Sequence, residues 1–216
     1  MQKVIRTAAL KWVKRVSEIK LSNRIARRFA ETVARELGTE QLNIMLGLSK
    51  FPAEWAKPDV LSKLDAFESA KAYASLQAAM RSYFGRGARG ILLRVGQRMW
   101  NHLLEDASLG SRAQAGIIKR LPIGARRKPS LDLLAKFLSA SSGDITVHTL
   151  DLDLLLVDHA SPTASGRNES APICYVTQGL IRESLYWATA VGFDVEETAC
   201  KAQGHHACEF KVTAGK

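Results

Sequence analysis

The chain has 216 residues, 46% of them hydrophobic and 24% charged, an ordinary composition for one globular domain with or without a helical extension. No apolar run approaches the roughly 18 residues of a membrane span, and Met1 to Lys20 lacks the apolar core of a secretory signal. This reads as a cytoplasmic protein. The net charge of +10 is uneven: residues 1–142 hold 26 of the 31 Lys/Arg and 11 of the 21 Asp/Glu, whereas residues 143–216 hold 5 and 10. Such a basic part can attract nucleic acid, an acidic protein or a membrane surface, or simply form solvated helix faces; its charges are spread over several helices, which favours solvated faces, and a nucleic-acid partner is not expected.

In chain order, residues 1–37 read as helix, with Ile5, Ala9, Val13 and Val16 and then Ile25, Phe29 and Val33 at helical spacing, and with Ser22 capping the second part. Lys11, Lys14, Arg15, Lys20, Arg24, Arg27 and Arg28 fill the other positions. Gly38 ends this segment and Thr39 caps another short helix. Residues 1–50 are thus expected to be a basic helical extension, dimerising or packed on the core, before a ligand-binding domain at 51–216. Pro52 and Pro58 mark a loop over 47–60. Helices follow over 60–84 and 88–104, separated by Gly85-Arg86-Gly87. Gly96, inside the second, costs about 1 kcal/mol relative to Ala, which implies close packing. Leu121 to Ser130 reads as an exposed basic loop, and Leu131 to Leu138 as a short helix.

Near residue 143 the period changes from helical to alternating. Ile145 to Thr149 and Leu152 to Val157 read as strands, Ser161 to Ser170 as a polar loop, and Ile173 to Ala190 as a helix with Tyr186 or Trp187 inward. Phe193 to Ala199 and Cys208 to Val212 are two more strands, joined through Gln203-Gly204-His205-His206. A helical two thirds followed by β-β-α-β-β predicts an α+β fold with helices packed on a mainly antiparallel sheet.

All three cysteines fall after residue 173. An odd, clustered set in a chain without a secretory signal points to metal or redox chemistry rather than a disulfide framework. Cys174 opens a helix, Glu197 and Cys200 lie at the end of one strand, and Cys208 begins the next across a short turn. Three thiolates and a carboxylate are ligands that tetrahedral zinc accepts, and four protein ligands leave no open position, so the zinc would be structural. Backbone N–H groups would have to offset the excess negative charge. Glu196 points to the other strand face from Glu197, and His205 or His206 could complete the site instead. The cysteines could equally be buried hydrophobes.

The segment from Cys174 to Val212 resembles the C-terminal half of the 4-vinyl reductase domain family. The matching residues are Cys174, Gly179, Glu197-Thr198-Ala199-Cys200, Gly204 and Cys208-Glu209-Phe210, with family spacing kept, and Gly85 to Trp100 looks like the family's central helix. The resemblance covers about residues 80–214. It implies a homodimeric ligand-binding fold, as in sensor modules of aromatic-responsive transcription activators, in proteins accompanying bacteriochlorophyll synthesis and, distantly, in vesicle-tethering subunits holding an acyl chain. It also implies zinc at Cys174, Glu197, Cys200 and Cys208. The sensors' pocket residues have no counterpart here, and the chain has neither an ATPase module nor a DNA-binding helix-turn-helix.

Tyr83, Phe84, Arg98, Met99, Trp100 and His102, around the central helix, could line an apolar pocket with a few polar groups, or simply pack. Gly85-Arg86-Gly87-Ala88-Arg89-Gly90 sits between helices rather than after a strand, so it is a packing loop, not a phosphate loop. Cys208 with His206 could be drawn as a nucleophile and base, but the zinc reading uses that sulfur. The reading favoured is a zinc-stapled sensor or binding domain for a small aromatic, acyl or tetrapyrrole molecule. An accessory protein or reductase of bacteriochlorophyll-type tetrapyrrole synthesis, or an assembly domain without ligand, are the alternatives. No nicotinamide or flavin motif supports catalysis.

Overall fold

The structure is a computed structural model that describes residues 19–214. The expected helical turns over Ile5 to Val16, with Lys11, Lys14 and Arg15, lie outside the described residues. Eight α-helices and four strands follow within them: α1 Asn23–Leu37, α2 Thr39–Leu48, α3 Pro58–Leu61, α4 Ala66–Phe84, α5 Ala88–Glu105, α6 Leu109–Arg120, α7 Arg127–Leu138, β1 Ile145–Leu150, β2 Asp153–Asp158, α8 Tyr175–Thr189, β3 Phe193–Ala199 and β4 Cys208–Ala214.

Local chemistry sets the helix ends. Gly38, at φ 96°, takes a backbone conformation open to glycine and separates α1 from α2. At α4, Asp65 Oδ1 accepts from the amides of Phe67 and Glu68, each at 2.8 Å, while the Glu68 carboxylate accepts from the Asp65 amide. This capping box moves the helix start to residue 66, later than the hydrophobic pattern suggested, and leaves Pro58–Leu61 as a separate turn. Two further segments differ from the sequence reading. The basic loop is helical from Arg127 onward. Residues 109–120 form a helix that the apolar pattern did not reveal, because it buries only Ser111 and Ile118 and leaves Leu109 and Ile117 exposed.

The sheet is antiparallel throughout, in the order β1-β2-β4-β3. Rows of paired residues cross its inner face, Leu154–Val212–Val195 and Leu156–Phe210–Glu197, all buried. Helix α7 packs on β1 and α8 on β3, with α5 crossing α8 and α1 packed on α5 and α4. Ile25, Phe29, Met99, Trp100, Leu156 and Phe210 therefore belong to one continuous core. Among the described residues no helix is long and apolar enough to cross a membrane.

The α5–α8 crossing is made by two glycines. A Cβ on Gly96 would lie 2.2 Å from the Val176 carbonyl oxygen, and one on Gly179 would lie 2.2 Å from that of Leu93. The helix-propensity cost of Gly96 is thus exchanged for backbone-to-backbone packing that holds α8, and Cys174 at its N-terminus, against the core.

Arg24, Arg27 and Arg28 of α1 converge on Asp106 at the end of α5. Arg24 donates to its carbonyl at 3.1 Å and Arg27 to its carboxylate at 3.0 Å, while Arg28 makes a two-pronged contact with the carboxylate. These three cations serve a contact within the chain.

Candidate metal centre

Cys174 caps the start of α8, with φ −86° and ψ 46°. Glu197 occupies the inner-face row of β3, and Glu196 beside it is exposed, as strand alternation requires. Residues 197 and 200 are three apart, which in a regular strand would place them on opposite faces. The ladder between β3 and β4 shifts here: Glu197 faces Phe210 but Ala199 faces Glu209, so Thr198 is an extra residue. The bulge reverses the parity after Glu197 and lets Cys200 turn to the same side. Cys208 opens β4 opposite Asp158 of β2. Between them, Lys201–Gln203 form a single 3-10 turn that Gly204, at φ 91°, closes.

The result is one buried cluster. One ligand atom from each of Cys174, Glu197, Cys200 and Cys208 lies within 4.8 Å of the others. The Cys174 and Cys208 sulfurs are 3.6 Å apart and those of Cys208 and Cys200 are 3.9 Å apart. Thiolates at about 2.3 Å around a tetrahedral ion would be separated by ~3.8 Å. The cysteines are free thiols. Glu197 Oε2 accepts from the Cys174 amide at 2.9 Å, while Oε1 is buried with no hydrogen-bond partner among the described residues. The Lys201 amide donates to the Cys208 sulfur at 3.4 Å, the kind of backbone support that a charged thiolate cluster needs. Ser161 Oγ, 3.5 Å from the Cys174 sulfur, completes the surroundings; no spacing rule in the sequence pointed to it.

Without a cation these four acids compete. Burial, then the hydrogen bond and charge of Cys200, lift the Glu197 carboxyl to about 8. Hydrogen bonds from Cys174 and Cys208 hold the Cys200 thiol well below its usual value. Cys174 is pushed up by its bond to Cys200, then by that to Cys208 and by burial. For Cys208, the bond from Cys174 pulls down, but the bond to Cys200, burial and the Cys200 charge outweigh it. One negative charge is thus shared among four buried donors, an arrangement that a dication relieves. The donor set, spacing and orphaned carboxylate oxygen fit a structural zinc ion. His205 and His206 are exposed in the turn, outside this cluster.

With this geometry stand the likenesses to known proteins. Residues 158–214 match the family profile of the V4R domain. Residues 158–214 thus resemble a V4R domain. Cys174, Glu197, Cys200 and Cys208 all lie inside the V4R match. No curated protein sequence matches the chain. Among solved structures, the phenol-responsive sensory domain of the transcription activator PoxR, solved with phenol, superposes at a TM-score of 0.50 and 14% identity, over 67% of this chain and 74% of that one. An H-NOX protein from K. algicida, in its Fe(II) unliganded state, superposes at 0.55 and 11% identity, over 90% and 97%. One from S. oneidensis, in the Fe(II)NO state, superposes at 0.54 and 14%, over 90% and 99%. At these identities the likeness is one of fold.

The six residues expected around a pocket do not converge. Met99 and Trp100 are fully buried in the core. Trp100 packs against Phe137 and Trp187, with ring centroids 5.8 and 5.4 Å away, so Trp187 rather than Tyr186 is the inward residue of α8. Arg98 lies on the outer side and pairs with Glu36. His102 is held at the surface by Glu105, at 3.1 Å, and Arg35, at 3.0 Å. Tyr83 is exposed and stacks edgewise on Phe84. Neighbouring residues on a helix are turned about 100° from each other, so 98, 99 and 100 cannot face one cavity. One feature of the six bears on binding: the Trp100 indole N–H is buried with no acceptor among the described residues.

Proposed function

We propose that this chain is a zinc-stapled binding domain for a small hydrophobic molecule, acting as a sensor through a partner or a second copy of itself. The observation that carries the reading is the buried convergence of Cys174, Glu197, Cys200 and Cys208, whose negative charge calls for a metal. Zinc bound there supplies a closed, redox-inert crosslink. The chain's residues do the rest. Cys174 ties the start of α8 to the sheet, and Cys200 and Cys208 fix the turn between β3 and β4.

Helix α8 then links the two ends of the domain. Trp187 near its C-terminus touches Trp100 of α5, and Cys174 sits at its N-terminus. Trp100 is packed in the core rather than lining a cleft, so an apolar ligand with one acceptor oxygen would reach its unpartnered indole N–H by parting the aromatic side chains around it. The likeness to a domain solved with phenol supports the same ligand class. A ligand there would bear directly on the α5–α8 contact, so occupancy would reach the metal end through a rigid helix.

Metal analysis of purified protein, joined to tryptophan fluorescence during phenol titration, tests this. About one zinc per chain is expected, lost in Cys200→Ser, together with a saturable fluorescence change that Trp100→Phe weakens. Zinc-free protein of unchanged stability would overturn the staple. Absence of any response to phenol, short-chain fatty acids or other apolar compounds would overturn the sensor.

A second reading, a tetrapyrrole as ligand, rests on the likeness to the Fe(II) H-NOX structures over 90% of the chain. A porphyrin absorption band in freshly purified protein would favour it over a small aromatic.

A further inference from the structure

A cleft lies on the outer side of the turn between β3 and β4. Its volume is about 590 Å³, and Lys20, Arg167, Lys201, His159, His205 and His206 line it against a single acid, Asp144. That acid is already committed: its Oδ2 accepts from the amides of Ala140 and Ser141, at 2.9 and 2.6 Å. A concave wall in which one sign predominates concentrates the field on small anions.

The wall is stiff and its donors are largely unspent. The Glu169 amide donates to the Ala202 carbonyl at 2.8 Å and Gln203 Nε2 to that of Ser170 at 3.3 Å, so the 161–170 loop and the 201–207 turn brace each other. The Lys201 amide also rests on the Cys208 sulfur. Lys201 Nζ spends one donor on the His159 carbonyl, at 2.6 Å, and has two more. Among the described residues, neither the Arg167 guanidinium nor the rings of His159, His205 and His206 make a hydrogen bond or ion pair. Ser165, also in the cleft wall, has a buried hydroxyl without a partner. Burial, and then the nearby charge of Arg81, work against the charge on Arg167, with only Glu169 in its favour.

We propose that this cleft binds the phosphate group of a small phosphorylated molecule, with Arg167 and Lys201 as charged donors and Ser165 and the histidines closing around it. Arg167 suits this role because its planar fork matches phosphate oxygens. The site is separate from the buried metal centre but stands on the same turn. It accounts for His205 and His206, which the metal cluster leaves out.

Isothermal titration of the full chain, at constant ionic strength, with inorganic phosphate and with glycerol 3-phosphate tests the proposal. Saturable binding is expected, on the order of 1 mM for so small an anion. Arg167→Gln and Lys201→Met should each weaken it about tenfold or more, the loss of a hydrogen bond to a charged group. Arg182→Gln, in a different cleft, should leave it unchanged. The Arg167 side chain holds no hydrogen bond among the described residues, so that variant should fold and melt like the parent; Lys201→Met is the independent second test. Co-sedimentation with phosphatidic acid vesicles separates the sources. Binding to vesicles that both variants abolish assigns the phosphate to a lipid headgroup, and binding to glycerol 3-phosphate alone assigns it to a soluble molecule. No saturable binding to any of these, or affinity unchanged in both variants, overturns the site.

Discussion

Replacing Gly179 by alanine isolates the contact on which α8 depends. The added Cβ would sit 2.2 Å from the Leu93 carbonyl oxygen, 3.1 Å from the Gln97 nitrogen and 3.1 Å from the Gly96 Cα. These are backbone atoms that cannot rotate away, so the helices must separate by roughly 1 Å to restore van der Waals contact. Overpacking of this kind costs about 1–3 kcal/mol or more, and opening the adjacent core adds to it, whereas alanine returns about 1 kcal/mol of helix propensity. A net loss of roughly 2 kcal/mol should lower the melting temperature by about 4–8 °C in a chain of this length. Cys174 lies about 7 Å along the same helix from Gly179, so the displacement should also weaken metal retention. Thermal melts and competition with a zinc chelator read both effects. Gly116→Ala provides the contrast. Nothing lies within 4 Å of its added Cβ, and it should stabilise the protein by up to about 1 kcal/mol. A Gly179→Ala protein as stable as the parent, or stabilised as Gly116→Ala is expected to be, would refute the close-crossing argument.

Three other predictions follow from buried charge. Asp158 is fully buried, and desolvation lifts its carboxyl to about 6 against amide hydrogen bonds from Ala160 and Ser161 that lower it. A folded-state value above the unfolded one means stability is fully present below about 4 and is lost as pH rises through about 6, by roughly 3 kcal/mol. Urea unfolding at pH 4.5 and pH 8 should show that loss, and Asp158→Asn, which keeps an acceptor for the Ala160 amide, should flatten it. In the metal-free protein Glu197, lifted to about 8, acts in the same direction, but the Cys200 thiol, held well below its usual value, acts oppositely and offsets it, so between about pH 5 and pH 8 chelated protein should show little beyond the Asp158 loss; zinc binding expels the protons of the cluster, so the stability that zinc adds should grow with pH across this window, and pH profiles with and without metal that run parallel or coincide would contradict the site. Asp106→Ala removes the carboxylate that Arg27 and Arg28 share and leaves them Glu31, while Arg24 keeps the carbonyl of residue 106; it should cost roughly 1–2 kcal/mol in denaturant unfolding, less at high salt. The hydrogen bond from Arg28 holds the Asp106 carboxyl below the usual range, so this contribution is present at neutral pH and lost on acidification through that lowered value.

Much of the architecture was legible in the chain because periodicity follows directly from which face is buried. The switch near residue 143 from a helical to an alternating pattern marked the α+β division, and strand alternation required Glu196 and Glu197 to face opposite sides of the sheet, with the structure burying Glu197. Helix α6 was not legible, since an element that buries two residues leaves almost no pattern to read. The extent of α4 was set by the Asp65 capping box rather than by apolar spacing, which ran on past it toward residue 60.

The metal centre divides along the same line. Residue identity and spacing alone determined that three thiols and a carboxylate fall within residues 174–208, and that Gly96 carries a cost that close packing offsets. The tertiary structure decided what makes them a site: the extra residue at Thr198 that turns Cys200 to the side of Glu197, and the glycine crossing that anchors Cys174 beside them. It also decided that Met99 and Trp100 are core while Arg98 and His102 face outward, and that distant Arg167, His159 and Lys201 share one cleft. Spacing along the chain encodes which residues can share a face of one element. Which faces meet, and where a ladder slips by a residue, depends on packing between elements far apart in sequence.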